Sequence, residues 1–253
     1  MQILKGYKFE LNVNSVKKHQ MSCIDGSCRY VYNRALDLQI NRYALDGKKY
    51  SYAELCKFLT QWRKGQKTKW LAEAPSQALQ QSLRDLDKAY TNFFSKRAGF
   101  PKFKKKFVNT GFRFPDPKQI KLDQKNGRIF LPKLGWLRYR KSREIEGELR
   151  NVTITQYCGK WYASIQTERE VETPFHPGGE VGIDVGIKRF ATLSDGTVFE
   201  PLDSFRRHEK ALRKAQQALS RKKKGSNNRK KALAKVRRIH KRIRDVRMDY
   251  LHQ

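Results

Sequence analysis

Residues 182–196, GIDVGIKRFATLSDG, set Asp184 in a short apolar run punctuated by glycine. Side chains alternate along a strand. Val181, Ile183 and Val185 therefore share one side, and Gly182 and Asp184 the other. A carboxylate near the middle of a central strand is costly unless it accepts hydrogen bonds or binds a cation. Two chemistries fit. Asp184 caps a turn through nearby backbone N–H groups, or it is a ligand for Mg2+, which takes a few carboxylates with water and substrate oxygens. In the second case two ions about 3.5–4 Å apart would clamp the attacking and leaving oxygens of a phosphodiester. Gly186 would let a strand or a nucleic-acid backbone come close.

Two further groups of residues suit phosphate and bases. The stretch FPKFKKKF alternates phenylalanine with Lys102, Lys104, Lys105 and Lys106. The lysines can neutralise phosphates, while Phe100, Phe103 and Phe107 stack on bases or fill a core. Phe112 and Phe114 alternate like a strand and read as core. Between 204 and 247 there are 19 Lys and Arg and two acids. Arg206, Arg207, Arg213, Lys222, Lys223, Lys224, Arg237, Arg238 and Arg242 are the backbone-contact candidates there.

The elements that must position these groups can be read from periodicity. Residues 2–13 alternate as a strand. A helix is expected over about 15–45, ended by Gly47. Ser51 and Glu54 form a capping box that opens a second helix to about 64. Leu79, Leu83, Leu86, Tyr90 and Phe93 give a third, 75–97, with Pro75 in its first turn and Gly99 as its stop. Asn126-Gly127 marks a hairpin between 120 and 131, and Gly159-Lys160 a second over 152–167. Segments 1–13 and about 110–168 thus read as a β-barrel-like unit with helices inserted. ETPFHPGG reads as a linker. Three short strands follow, at 181–185, 189–193 and 197–199, then two basic helices broken at 222–228. Leu233, Val236, Ile239, Ile243, Val246 and Tyr250 form a narrow stripe that would pair them as a hairpin.

The 253 residues carry 56 Lys and Arg against 24 acids, a net charge of +32. Such an excess repels itself unless a polyanion neutralises it, and nucleic acid is the usual one. Hydrophobic residues make up 38%, enough for a core and against disorder throughout. Cys23, Cys28, Cys56 and Cys158 form no C-x-x-C pair, so they read as free thiols of a reducing cytosol. No apolar run approaches the roughly 20 residues of a membrane span.

The motif GIDVGIKRFATLSDG resembles the first RuvC motif of the TnpB proteins, transposon-encoded RNA-guided nucleases related to type V CRISPR effectors. RYVYNRALD (29–37), SYAELCKFLT (51–60), PSQALQQSLRDLDKAYTNFF (75–94) and RAGFPKFKKK (97–106) resemble that family's N-terminal half, in order. The resemblance implies an α+β, multi-domain chain. A wedge-like β-barrel would occupy 1–14 and 101–172, with a helical recognition insert at 15–100. A linker at 173–179 would lead to a partial RNase H-like (RuvC) domain at 180–253. It implies guide RNA and target double-stranded DNA as partners, with a short flanking motif read by the recognition and wedge parts. Tyr52, Ser76, Gln77, Gln80 and Gln81 are then the flanking-motif candidates, since glutamine can read adenine bidentately. Glutamine is equally a good surface helix former.

The resemblance also implies two further RuvC acids and a four-cysteine zinc ribbon. Glu200, Asp203, Glu209, Asp245 and Asp249 lie in polar or helical contexts, and none makes a convincing second ligand. Asp184 is thus the one catalytic and metal candidate. Mg2+ is implied only where the site is completed by a second chain or a missing C-terminal part, and no zinc is expected. A partial sheet should leave an edge open and the last helix's stripe partly uncovered. The segment from about 180 is therefore expected to be the least ordered. The location expected is the prokaryotic cytoplasm, at the nucleoid.

Overall fold

The structure is a computed structural model that describes residues 1–106, 110–173 and 178–252. It divides into two compact units, Met1–Glu172 and Thr173–Gln253.

The first unit opens with β1 (Gln2–Asn12), whose alternating residues Tyr7, Phe9 and Leu11 are buried. Asn14 caps α1 (Ser15–Asp46) by accepting from Lys17 N, and Gly47 ends it in the left-handed region at φ 62°. The capping box of Ser51 and Glu54 is present at the start of α2 (Tyr52–Lys64). A 3-10 helix, Gln66–Glu73, joins it to α3 (Ser76–Phe94). Gln39 fixes the α1–α2 connection: its amide donates to Tyr50 O at 2.8 Å and accepts from Tyr50 N at 2.7 Å. Leu79, Leu83 and Leu86 are wholly buried, as their spacing requires. α3 stops earlier than its periodicity suggests. Lys96 turns left-handed at φ 57°, and Asn92 O accepts from both Arg97 N and Ala98 N. These bonds, rather than Gly99, terminate it.

The remaining strands are β2 (Gly111–Phe114), β3 (Lys121–Asp123), β4 (Arg128–Leu131), β5 (Gly135–Tyr139), β6 (Glu148–Tyr157) and β7 (Lys160–Glu170). With β1 they form one seven-stranded sheet, ordered β2-β6-β7-β1-β5-β4-β3, with every pair antiparallel. The two hairpin turns carry the positive φ values that tight turns need, at Gly127 and at Cys158-Gly159. The second turn is thus one residue earlier than Gly159-Lys160. β1 pairs with β7 along residues 2–10 and with β5 at residues 11–12, so one long strand serves both halves of the sheet. The expected barrel is not closed: among the described residues β2 and β3 are edges and do not pair. Helices and sheet share one continuous core, from Tyr7 and Phe9 through Val31, Leu36 and Leu83 to Ile129, Val152 and Trp161.

The second unit has a three-stranded antiparallel sheet of β8 (Ile183–Asp184), β9 (Ala191–Leu193) and β10 (Val198–Phe199), ordered β10-β9-β8. Its helices are α4 (Ser204–Ser220) and α5 (Asn227–Tyr250). The expected linker lies largely outside the described residues, which omit 174–177.

Candidate nucleic-acid interface

α4 and α5 pack through a small cluster of Leu212, Ala215 and Val236, flanked by Leu219 and Ile239. The narrow stripe leaves the rest of each helix to cations. The interhelical turn is tied by Arg229, whose guanidinium donates to Leu219 O at 3.1 Å and Lys222 O at 3.2 Å. The Leu219 carbonyl lies in the last turn of α4, where a cation is favourable. Arg207, Arg213, Lys222, Lys223, Lys224, Arg237, Arg238 and Arg242 all face solvent. Arg206 is exposed too and lies 3.7 Å from Asp203. The α5 stripe is partly covered, as expected: Val236 and Ile243 are buried, whereas Leu233, Ile239, Val246 and Tyr250 are half-buried.

The bare apolar surface lies on the strands instead. Ile183 is 65% exposed, Val185 70% and Ile187 98%. Only two residues, not five, are strand at β8. Asp184 is itself exposed. The reading of an acid held in an apolar environment is therefore overturned: no layer covers β8 among the described residues. Ser194 supports the turn, donating its N–H to Gly182 O at 2.9 Å and accepting from Gly182 N through Oγ at 3.1 Å. Among the described residues, no three His, Cys, Asp or Glu side chains converge as a metal group. A two-metal centre needs several carboxylates. One exposed Asp184 does not fit that requirement alone.

In the first unit, α3 displays Gln77, Gln80, Gln81 and Arg84 on one face, at spacings of three and four. The Arg84 Nε donates to the Tyr52 hydroxyl at 3.3 Å, and its guanidinium lies 5.4 Å from that ring. α2 thereby brings Tyr52 onto the same polar patch. Burial raises the Tyr52 phenol above its ordinary value, so it stays neutral. Gln77 is partly committed elsewhere, donating to Asp116 at 3.0 Å. Gln81 donates to Asp85 at 3.0 Å. Gln80 is exposed, and Ser76 is half-buried at the first turn.

The FPKFKKKF stretch is anchored more firmly than its composition suggests. Lys104 N donates to the Asn33 side chain at 2.7 Å, and Asn33 donates back to Lys104 O at 3.0 Å. The Lys104 ammonium sits 4.3 Å from the Tyr32 ring centre and 3.9 Å from Asp85. Lys102, Lys105 and Lys106 are exposed as well. Phe100 packs edge-on against Tyr90 at 5.7 Å and Phe93 at 5.4 Å, yet stays 46% exposed. Phe103 is 49% exposed. Phe107 lies outside the described residues. Phe112 and Phe114 are buried.

Periodicity gave no sign of β5. Its Trp136 is 43% exposed, with the Arg128 guanidinium 4.7 Å from the ring and Phe130 at 5.7 Å. Among the cysteines, burial pushes the Cys28 thiol up to about 12, and all four are free.

Sequence comparison places this geometry. The IS605 OrfB profile, described as "Probable transposase", matches residues 164–253, and the group's "Helix-turn-helix domain" profile matches 1–48. An Escherichia coli (strain K12) protein named "Putative RNA-guided DNA endonuclease InsQ" is 50% identical over 254 residues, covering 100% of this chain. The chain belongs to the IS605 OrfB family, the TnpB proteins. A Streptomyces pristinaespiralis relative, "Putative RNA-guided DNA endonuclease", is 33% identical over 256 residues. The chain spans 63% of the length of each of these two TnpB relatives. A solved Cas12f ternary complex aligns at a TM-score of 0.36 and 11% identity, covering 86% of this chain and 56% of that one. A likeness so slight carries no argument. Despite the profile's name, residues 1–48 here hold β1 and the single helix α1.

Proposed function

We propose that this chain recognises DNA through a bound guide RNA, engaging target double-stranded DNA beside a short flanking motif. The observation that carries this reading is the match along the whole chain to relatives named as RNA-guided DNA endonucleases. The geometry supports it. The exposed cations of α4 and α5 and Lys102, Lys105 and Lys106 suit phosphate neutralisation, which gives affinity but reads no sequence. The Tyr52, Gln80, Gln81 and Arg84 patch suits base edges at the flanking motif. Phe103 suits stacking on an unpaired base.

Cleavage is a separate matter. Asp184 supplies one carboxylate, and no cutting step is assigned to this chain's residues by themselves. Mg2+ belongs to this reading only where further carboxylates complete the site from elsewhere. No helix among the described residues is long and apolar enough to cross a membrane. The proposed setting is the prokaryotic cytoplasm, at the nucleoid.

The test is to express the chain with its transposon-end transcripts, extract the co-purified RNA and sequence it. One structured transcript, and retention of DNA matched to it, is the expected result. A random RNA mixture with no guide-dependent DNA retention would reduce the chain to a plain basic nucleic-acid binder. Magnesium-dependent cutting of matched DNA by this chain alone would assign it a complete nuclease site.

A further inference from the structure

Outside the groups already described, the first unit holds a cavity of about 790 Å3 between α1, the 3-10 helix and the β4–β5 turn. That volume falls within the range of small-ligand sites. Its walls set one acid, Glu73, beside Arg29, Lys133 and His19. Trp70 is 42% exposed, and Tyr30 meets it edge-on at 5.1 Å between ring centres and 69° between planes. Trp70 thus keeps part of its indole open to the cavity, where a planar guest could stack. Glu73 lines the same cavity and is exposed. Residues three apart on a 3-10 helix eclipse one another, so Trp70 and Glu73 rise from the same side. A ring stacked on Trp70 would present its edge to the Glu73 carboxylate.

Two more residues line the cavity. Gln20 lies in the α1 wall. Lys133 brings an ammonium to the rim from a left-handed backbone, φ 65°. The turn that carries it is tied to α1, because the Lys17 ammonium donates to Leu134 O.

We propose that this cavity holds one unpaired guanine base of a bound strand. Guanine is the nucleobase with two adjacent donors, N1–H and N2–H, on its pairing edge. A carboxylate accepts from both at once. Adenine and cytosine each offer a single amine beside a ring acceptor, and uracil offers one N–H between two carbonyls. Glu73 therefore selects guanine, Trp70 stacks on it, and Lys133 neutralises the adjoining phosphate. The inference rests on the nucleic-acid reading above and adds a base-specific pocket to it.

The test uses the full chain and fluorescent 12-mers of uridine with one central guanosine, adenosine or cytidine. Binding is followed by anisotropy. The guanosine 12-mer should bind roughly tenfold more tightly than the other two. Glu73→Gln should abolish that preference and leave the adenosine 12-mer unaffected. Trp70→Ala should weaken the guanosine 12-mer by about tenfold or more. Both side chains are exposed, so unchanged melting will separate lost contacts from lost folding. Equal binding of all three 12-mers, or a preference that survives Glu73→Gln, overturns the guanine site while leaving RNA binding intact. If the chain binds neither these 12-mers nor long RNA, the proposed function fails with it. Deoxy versions of the 12-mers show whether the base comes from RNA or DNA.

Discussion

Asp123 gathers three donors at the first hairpin turn: Asn126 N at 3.1 Å, Asn126 Nδ2 at 2.9 Å and Arg128 Nε at 2.7 Å. The Asn126 amide, then Arg128, hold its carboxyl down to about 2. A carboxylate depressed on folding contributes stability above its unfolded value, near 3.9, and loses it as pH falls through its folded value. Asp123→Asn should therefore lower the urea midpoint at pH 6, and the gap from wild type should close between about pH 4 and 2. A gap independent of pH would mean the charge is irrelevant. Asp25 acts through position as well. Its Oδ1 accepts from Gly111 N at 2.8 Å, tying α1 to the edge strand β2. Gly111 has no room for a side chain there, since a Cβ would stand 2.7 Å from Ile154 O. At the flanking-motif patch, Gln80→Ala should reduce affinity for an adenine-containing motif about tenfold in a competition assay, leaving other motifs unchanged. An unaltered preference across motif variants would remove Gln80 from the interface.

Elements are where sequence and structure agree best, for a physical reason. α1, α2 and α3 carry their own start signals and a periodic apolar face, so each was legible locally. The capping box is an example, and Ser51→Ala should cost about 1 kcal/mol, read as a fall in melting temperature with activity unchanged. The two hairpins were legible through glycines that accept positive φ. β5 was not, because Gly135–Tyr139 is short and exposes Trp136 where an apolar residue is usually taken for core. The open sheet order was not legible either, since closure depends on which distant edges meet. Asp184 was misplaced by the same gap: alternation assigns a side to each residue but cannot say that anything covers that side. The second unit shows the consequence. α4 and α5 bury a small shared cluster, whereas Val181, Ile183, Val185 and Ile187 meet solvent. Amide hydrogens at 181–187 should thus exchange fast in the free chain, and those of the α4–α5 core more slowly. Strong protection across 181–199 would contradict this account.

At the scale of the molecule, charge governs. Residues 173–253 hold 21 Lys and Arg against eight acids, a denser excess than that of residues 1–172. Their helices bury few groups, so most of these cations remain available to a polyanion. Each phosphate neutralised releases condensed counterions, and affinity then falls linearly with log salt. If 6–10 phosphates are engaged, raising salt from 50 to 200 mM should cost about 10^3–10^5 in RNA affinity. Arg213 and Arg242 test whether α4 and α5 belong to that contact. Both are exposed on the hairpin. The double substitution Arg213→Gln with Arg242→Gln should flatten the salt slope by about two and weaken all RNAs alike. Glu73→Gln should do the opposite, changing which base is preferred while the slope stays as it was. The two variants separate attraction from reading: phosphate contacts are additive in charge and blind to sequence, whereas one acid in a basic surface acts only on the base beside it. A salt slope untouched by the arginine pair would place the polyanion on the first unit, whose exposed lysines at 102, 105 and 106 would then be the next to replace.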